Sequence, residues 1–187
     1  MYQPSDEPHC GPAALKHALA VLGKRKSLES LRDVCVVTRN GTSTKNMIRA
    51  TKRLGLPTLL VQNATLRHLQ SALRYRPNKE RAVIVSYLYE LDENNDPHPD
   101  SGHWAVVSSY LASKGRVVLL DSFSGQKKSY VWSEFRSRWI DYDLKHRRVG
   151  KRGRFKIVRH WQPQLMMVLA NQVDNLPQFQ LASTRRY

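Results

Sequence analysis

The stretch that decides the fold is residues 3–23, QPSDEPHCGPAALKHALAVLG, which is centred on Cys10. Apolar residues recur at helical spacing after its Cys-Gly-Pro sequence. Proline is favoured in the first turn of a helix and glycine just past its end, so Pro12 and Gly23 predict a helix that begins at about Cys10. The partial positive charge at a helix N-terminus favours the thiolate form of a cysteine, which is a nucleophile. A buried structural cysteine is the alternative interpretation.

The composition is typical of a globular protein. The chain has 187 residues, of which 41% are hydrophobic and 25% charged, enough for one domain with a core. No stretch approaches the roughly 18 apolar residues of a transmembrane helix, and the N-terminus lacks the basic and apolar regions of a signal peptide. Two cysteines cannot form a disulfide framework and suit a reducing compartment. We therefore expect a cytoplasmic protein without a transmembrane segment, in an oligomeric state that the sequence leaves open.

The charge is unusual, because the net value is +16. Such an excess attracts anionic partners but does not indicate a fold. It is concentrated in residues 145–160, KHRRVGKRGRFKIVRH, which contain no acidic residue. With few aromatic residues between the cations, this stretch is typical of an electrostatic surface for nucleic acid or an acidic protein rather than of a base-stacking platform. A solvated loop is the alternative interpretation.

Helix signals dominate the first third of the chain. Ser27, and then either Thr42 or Ser43, are placed to cap two helices after the Cys10 helix, because hydroxyl oxygens accept from the unbonded N–H groups at a helix start. A further helix is indicated over residues 64–75, where leucines recur on one side.

Strand signals dominate the rest of the chain. β-branched and apolar runs predict strands over residues 57–61, 82–88, 103–110, 116–121 and 165–169. The third and fourth of these are separated by a short turn, so they are predicted to form an antiparallel hairpin. Ser133 is expected to cap a short helix that follows them.

This order of elements predicts the α+β class, with N-terminal helices packed on a mainly antiparallel sheet. We expect one domain over residues 1–170, with the basic stretch as an insertion at 145–160. Residues 171–187 show little periodicity and are predicted to form a loosely held C-terminal tail.

A nucleophilic cysteine requires a base, a group that orients the base, and donors for the oxyanion. His103 opens a predicted strand, and Asp121 ends the strand predicted to pair with it, so the carboxylate can fix the imidazole tautomer. Gln3 and the backbone N–H of Cys10 are candidate oxyanion donors. A strand-edge histidine, a turn-starting aspartate and a frayed terminus are the alternatives for these residues.

Three motifs together resemble the C39 peptidase-like family. They are HCGPAAL at residues 9–15, GHWAVV at 102–107 and LDS at 120–122, and the likeness extends over about residues 1–140. The family comprises papain-like cysteine peptidases, best known as transporter domains that cut leader peptides after a double glycine. The resemblance implies a papain-like fold and a cysteine peptidase that acts on a peptide or protein without a cofactor or metal.

The same resemblance implies the residue roles. Cys10 would be the nucleophile, His103 the base, Asp121 the orienting acid and Gln3 the oxyanion-hole residue. Positions flanking them are expected to bind substrate: His9, Gly11, Gly102 and Trp104. The chain departs from the family pattern at three points. It has His9 where the family has aspartate, a gap between Gln3 and Cys10 that is one residue longer, and Ser122 where proline is common.

Other functions remain open at this stage. The same constellation serves deamidation or transpeptidation, because only the nucleophile that resolves the thioester differs. A catalytically inactive papain-like module, with the basic stretch binding an anionic partner, is a second hypothesis. A metal site built from Cys10, His9, His103 and Asp121 is a third, although their spacing matches no usual zinc pattern.

Overall fold

The structure is a computed structural model that describes residues 9–74, 80–122, 124–149, 154–179 and 184–187. Its described helices are Cys10–Val21 (α1), Leu28–Cys35 (α2), Thr44–Arg53 (α3), Leu66–Leu73 (α4) and Trp132–Arg138 (α5). Its described strands are Thr58–Val61 (β1), Arg81–Leu88 (β2), Gly102–Leu111 (β3), Arg116–Leu120 (β4), Lys127–Val131 (β5), Ile140–Val149 (β6), Arg154–Pro163 (β7), Met166–Ala170 (β8) and Thr184–Arg186 (β9).

Seven of the described strands form one sheet in the order β5-β4-β3-β2-β8-β1-β9. Every neighbouring pair in it is antiparallel. The predicted pairing of β3 with β4 is confirmed, with Val106 opposite Leu120. Helices that precede a mainly antiparallel sheet confirm the α+β class.

Helices cover both faces of this sheet. Side chains along a strand point alternately to its two faces, and β2 divides its residues accordingly. Ala82 and Ile84 pack into a core with α1, α2 and α3, whereas Val83 and Val85 pack into a second core that includes residues of α4 and α5. Burial on both faces explains why β2 is a continuous apolar run in the sequence.

The starts of three helices follow the predicted signals. Helix α1 begins at Cys10. The hydroxyls of Ser27 and Ser43 accept from backbone N–H groups of α2 and α3, respectively. The prediction that Ser133 caps a helix is wrong, because α5 begins at Trp132 and Ser133 is its second residue. The N-cap residue is Val131, whose side chain cannot accept a hydrogen bond.

The basic stretch forms a hairpin rather than a solvated loop. Strands β6 and β7 pair with each other from Ile140 opposite Pro163 to Val149 opposite Arg154, and they form a separate two-stranded sheet. We predicted no strand here because most of the hairpin is exposed on both faces. The density of basic residues, without a buried face, made the stretch resemble an electrostatic surface rather than a strand.

The prediction of a loosely held tail is wrong for residues 184–187. Strand β9 pairs with the edge strand β1, and Thr58 and Tyr187 exchange two backbone hydrogen bonds of 3.1 and 2.8 Å. Main-chain pairing at a sheet edge requires no side-chain periodicity, so no sequence pattern indicated this strand. The domain boundary at residue 170 remains a prediction.

Candidate active site

Cys10 is the first residue of α1, and its side chain is close to the surface but largely covered, with 7% exposed. The first helical hydrogen bond runs from the Ala13 N–H to the His9 carbonyl at 3.0 Å. The thiol therefore sits at the positive end of the helix dipole. His9 is the N-cap residue, and its side chain is buried.

The start of α1 is held against the segment before α3. A Cβ atom at Gly11 would lie 2.6 Å from the Cβ and Oγ1 atoms of Thr42, so only glycine permits this approach. The Thr42 carbonyl accepts from the indole N–H of Trp104 at 2.8 Å. Trp104 is itself buried in the core beneath α1. These contacts fix α1 relative to β3.

His103 lies near the start of β3, with 1% of its side chain exposed. Its Nε2 atom is 3.0 Å from Oδ1 of Asp121 and 3.0 Å from Oγ of Ser122. The Ser122 hydroxyl donates its proton to the Trp104 carbonyl at 3.1 Å, so towards His103 it can only accept. We therefore place a proton on Nε2 of His103, which donates to both Ser122 and Asp121. The Cys10 thiol also interacts with His103, because its hydrogen bonding and its charge act to raise the pKa of the imidazole.

Asp121 follows directly after β4 and is fully buried. Its Oδ2 atom accepts from Nζ of Lys128 at 2.9 Å and from the hydroxyl of Ser124 at 2.9 Å. A tight turn holds the residue in place, because the Gly125 N–H donates to the Asp121 carbonyl at 2.9 Å. The carboxylate therefore has partners for both of its oxygen atoms.

The surroundings of His103 favour its protonated form. Burial alone lowers the pKa of His103, but hydrogen bonds to Asp121 and Cys10, together with their charges, outweigh it and raise the pKa above its usual value. The rings of Tyr87 and Tyr89 lie 5.7 and 5.1 Å from the imidazole, measured between centroids. A thiol, an imidazole and a carboxylate are thus arranged in series, which is the order needed to form and stabilise a thiolate–imidazolium pair.

A second carboxylate lies beside His103. Asp141 of β6 packs against Gly102, where any Cβ atom would collide with its carboxyl group. Its side chain accepts from the Ser86 hydroxyl and from the Tyr142 N–H at 2.7 Å. Burial raises the pKa of Asp141 to about 6, although the Ser86 and Tyr142 hydrogen bonds act in the opposite direction.

The sequence-predicted site residues are therefore brought together where the structure describes them. Cys10, His103 and Asp121 are in contact, and Gly102 is exposed next to His103. Gln3 lies outside the described residues. Among the described residues, no group of three or more histidine, cysteine, aspartate or glutamate side chains is arranged to hold a metal ion.

Sequence reasoning did not find Lys128 or Asp141. Lys128 follows another lysine in a strand that we did not predict, and only the register of β5 on β4 brings it to Asp121. Asp141 belongs to the unpredicted strand β6. The sequence signal nearest to them was Ser122, which stands where the family usually has proline.

Comparison with solved structures shows the same fold in two peptidase domains. The peptidase domain of Streptococcus ComA, a bi-functional ABC transporter involved in quorum sensing, is 19% identical, with 92% of this chain and 97% of that chain covered and a TM-score of 0.61. A double glycine motif protease from an AMS/PCAT transporter, solved in complex with its leader peptide, is 18% identical, with coverages of 91% and 89% and a TM-score of 0.55.

Comparison with curated protein sequences gave no match. No helix among the described residues is long and apolar enough to span a bilayer. The sequence model of the Peptidase C39 family matches residues 1–148, which is most of the chain and includes Cys10, His103 and Asp121. This chain belongs to the Peptidase C39 family.

Proposed function

We propose that this protein is a cysteine peptidase that hydrolyses a peptide bond through a Cys10–His103–Asp121 triad. The observation that supports this most strongly is that one buried imidazole bonds to the Asp121 carboxylate and also interacts with the Cys10 thiol, which raises its pKa. The imidazole takes the thiol proton, and the carboxylate stabilises the resulting imidazolium and fixes its orientation. The raised pKa of His103 favours the protonated imidazole that this ion pair requires.

The proposed reaction has two steps. In the first, the Cys10 thiolate attacks the scissile carbonyl carbon, and the His103 imidazolium transfers its proton to the leaving amine as the C–N bond breaks. A thioester between the acyl group and Cys10 remains. In the second step, the neutral His103 removes a proton from water, the hydroxide attacks the thioester, and the acid is released while the Cys10 sulfur regains its proton.

The oxyanion formed in each step requires donors. The backbone N–H of Cys10 is one candidate, because it points from the first position of α1. Gln3 is the second, as the family resemblance implies. Replacing Gln3 with alanine is then expected to lower kcat by about 10²–10³-fold, and an unchanged kcat would assign the second donor elsewhere.

The substrate is proposed to be a peptide. The similar double glycine motif protease was solved with a leader peptide, which supports a peptide as the ligand class here. Of the four residues predicted to bind substrate, Gly102 is exposed beside His103, so we propose that it contacts the peptide. His9, Gly11 and Trp104 are buried, and we propose that they act by holding the start of α1 in place. A catalytic thiol with a second reduced cysteine, Cys35, also fits a cytoplasmic location.

Thiol alkylation tests the proposal without a known substrate. The protein is treated with iodoacetamide at about pH 6, and both cysteines are followed by mass spectrometry. Cys35 is the internal control, because burial raises its pKa to about 12 and it is fully inaccessible. We expect rapid labelling of Cys10 alone, and slow labelling of Cys10 in the His103→Ala variant. Equally slow labelling of both cysteines would contradict an activated nucleophile.

Product analysis then separates the possible amide reactions. A peptide library is incubated with the protein and with the Cys10→Ser variant, in the presence and absence of a small amine. Hydrolysis yields two new peptide termini that do not contain the amine. Products that carry the amine would indicate transpeptidation, and loss of side-chain ammonia without chain cleavage would indicate deamidation.

A further inference from the structure

The outer part of the β6–β7 hairpin is an extended surface that the proposed peptidase function does not use. We call residues 144–149 and 154–161 the basic hairpin. Its base is fixed to the domain, because Asp143 accepts from the Thr44 N–H and from the Gln162 amide, both at 3.0 Å. From Leu144 onward, by contrast, β6 is exposed along its whole length.

The two faces of the basic hairpin differ in chemistry. Directly opposed residues of an antiparallel pair point to the same face, which places alternate pairs together. One face carries large exposed apolar side chains. Their exposed fractions are 65% for Phe155, 62% for Ile157, 41% for Leu144 and 41% for Trp161. The opposite face carries Lys145, Arg147 and Lys156 together with two smaller apolar side chains, Val149 and Val158.

The charge of the hairpin is of one sign. The basic hairpin contains six lysine and arginine residues and no acidic residue. The apolar face also carries charge, since Arg148 lies opposite Phe155, His146 opposite Ile157 and Arg159 opposite Leu144. A ribbon with its largest exposed apolar side chains on one face and cations on both faces resembles the amphipathic segments that lie in a membrane interface.

We propose that the basic hairpin binds the surface of a membrane that contains anionic phospholipids. The apolar face, with Phe155 and Ile157 at its centre, enters the boundary between headgroups and acyl chains, and the cations pair with headgroup phosphates. This interaction is independent of peptide hydrolysis and requires no step of the proposed reaction.

Two other occupants fit the surface less well. Nucleic acid neutralises the cations and stacks on aromatic rings, but it gives no apolar environment to Ile157 or Leu144. A second copy of this chain covers apolar side chains, but two chains of net charge +16 repel each other. The lipid surface is the occupant that satisfies both the charge and the exposed aliphatic side chains.

Vesicle co-sedimentation of the full chain tests this proposal. The lipids are phosphatidylcholine alone or phosphatidylcholine mixed with phosphatidylglycerol. We expect binding to the mixed vesicles only, weakened by added salt. The basic-face variant Lys145→Gln/Arg147→Gln/Lys156→Gln is expected to bind roughly 100-fold more weakly, because each cation near an anionic surface contributes separately. The apolar-face variant Phe155→Ser/Ile157→Ser is expected to bind at least about tenfold more weakly.

Matched controls remove the same chemistry elsewhere. Lys24→Gln/Arg25→Gln/Lys26→Gln removes three exposed cations from the connector between α1 and α2, and Leu111→Ser/Val173→Ser removes two exposed apolar side chains. Both are expected to bind like the unmodified protein. Cys10 alkylation and circular dichroism are measured for every variant, so that a loss of binding is not confused with a loss of folding or of the proposed active site.

Three results would overturn the proposal. The first is absence of binding to the mixed vesicles. The second is undiminished vesicle binding by the apolar-face variant together with tight, salt-sensitive binding of a DNA or RNA oligonucleotide, which would assign the surface to nucleic acid. The third is a dimer in sedimentation velocity that the apolar-face variant converts to a monomer, which would assign it to a second copy.

Discussion

Two carboxylates lie beside His103, and they differ in how their charge is compensated. Asp121 is fully buried and bonds to the imidazole, to Lys128 and to a serine hydroxyl. Asp141 is partly buried, and its partners among the described residues are the Ser86 hydroxyl and a backbone N–H. Burial consequently raises the pKa of Asp141 to about 6. Proximity to a histidine is therefore not sufficient to keep the pKa of a buried carboxylate near its usual value.

Replacing Asp121 with asparagine should give the largest effect. Asparagine keeps the shape of the side chain but removes the negative charge that raises the pKa of His103. We expect kcat to fall by about 10²–10³-fold, because the imidazolium loses its partner. The imidazolium then loses its proton at a lower pH, so the alkaline limb of the pH–rate profile shifts to lower pH. The rate of Cys10 alkylation against pH reports the same shift before a substrate is known.

The control for this variant is Asp33→Asn, which removes an exposed carboxylate of α2. It is expected to leave both the rate and the pH profile unchanged. Normal alkylation kinetics in the Asp121→Asn variant would remove Asp121 from the proposed triad. They would also show that Asp121 affects His103 no more than Asp141 does.

Replacing Lys128 with methionine should give a smaller effect of opposite sign on the pH profile. Nζ of Lys128 contacts Asp121 and lies 3.8 Å above the centre of the Tyr89 ring, so we infer that it positions the carboxylate. Methionine keeps the length of the side chain but removes the charge. The Asp121 charge then acts more strongly on His103, so the alkaline limb of the pH–rate profile is expected to shift to higher pH. Because the carboxylate is also less well positioned, kcat is expected to fall about tenfold.

The neighbouring lysine gives a matched control. Lys127 is more exposed than Lys128, and the alternation of the strand places it on the opposite face. Lys127→Met is expected to behave like the unmodified protein. A downward shift of the alkaline limb in Lys128→Met, or no shift, would mean that Lys128 contributes only to stability.

The difference between the two carboxylates also separates what the sequence could predict from what it could not. Cys10, His103 and Asp121 each stand at the end of an element with a strong pattern: a helix marked by proline and glycine, and two apolar strands. Local patterns therefore predicted that His103 and Asp121 would meet, and the family resemblance implied that Cys10 would join them. The α+β class followed from the same signals.

Lys128 and Asp141 come from strands of a different kind. Strand β5 alternates between exposed and partly buried positions, and β6 has no fully buried residue. Such strands form because pairing satisfies their backbone hydrogen-bonding groups. Their registers depend on contacts between residues far apart in the sequence, and these registers bring Lys128 to Asp121 and Asp141 to Gly102. The basic hairpin was unpredicted for the same reason.

Replacing Asp141 with asparagine should give the smallest effect, and on stability. The pKa of Asp141 is raised in the folded protein, so the folded state binds a proton more readily than the unfolded chain. Ionised Asp141 therefore lowers the free energy of unfolding above about pH 6, and this cost vanishes as pH falls below the unfolded pKa of about 4.

Asparagine avoids this cost but accepts a weaker hydrogen bond from Ser86, so we expect the free energy of unfolding to rise by about 1 kcal/mol at neutral pH. Urea unfolding of both proteins at about pH 7.5 and about pH 4 measures it: the gain should be present at the first pH and absent at the second. A loss of stability at neutral pH would mean that the Asp141 charge is compensated as fully as that of Asp121.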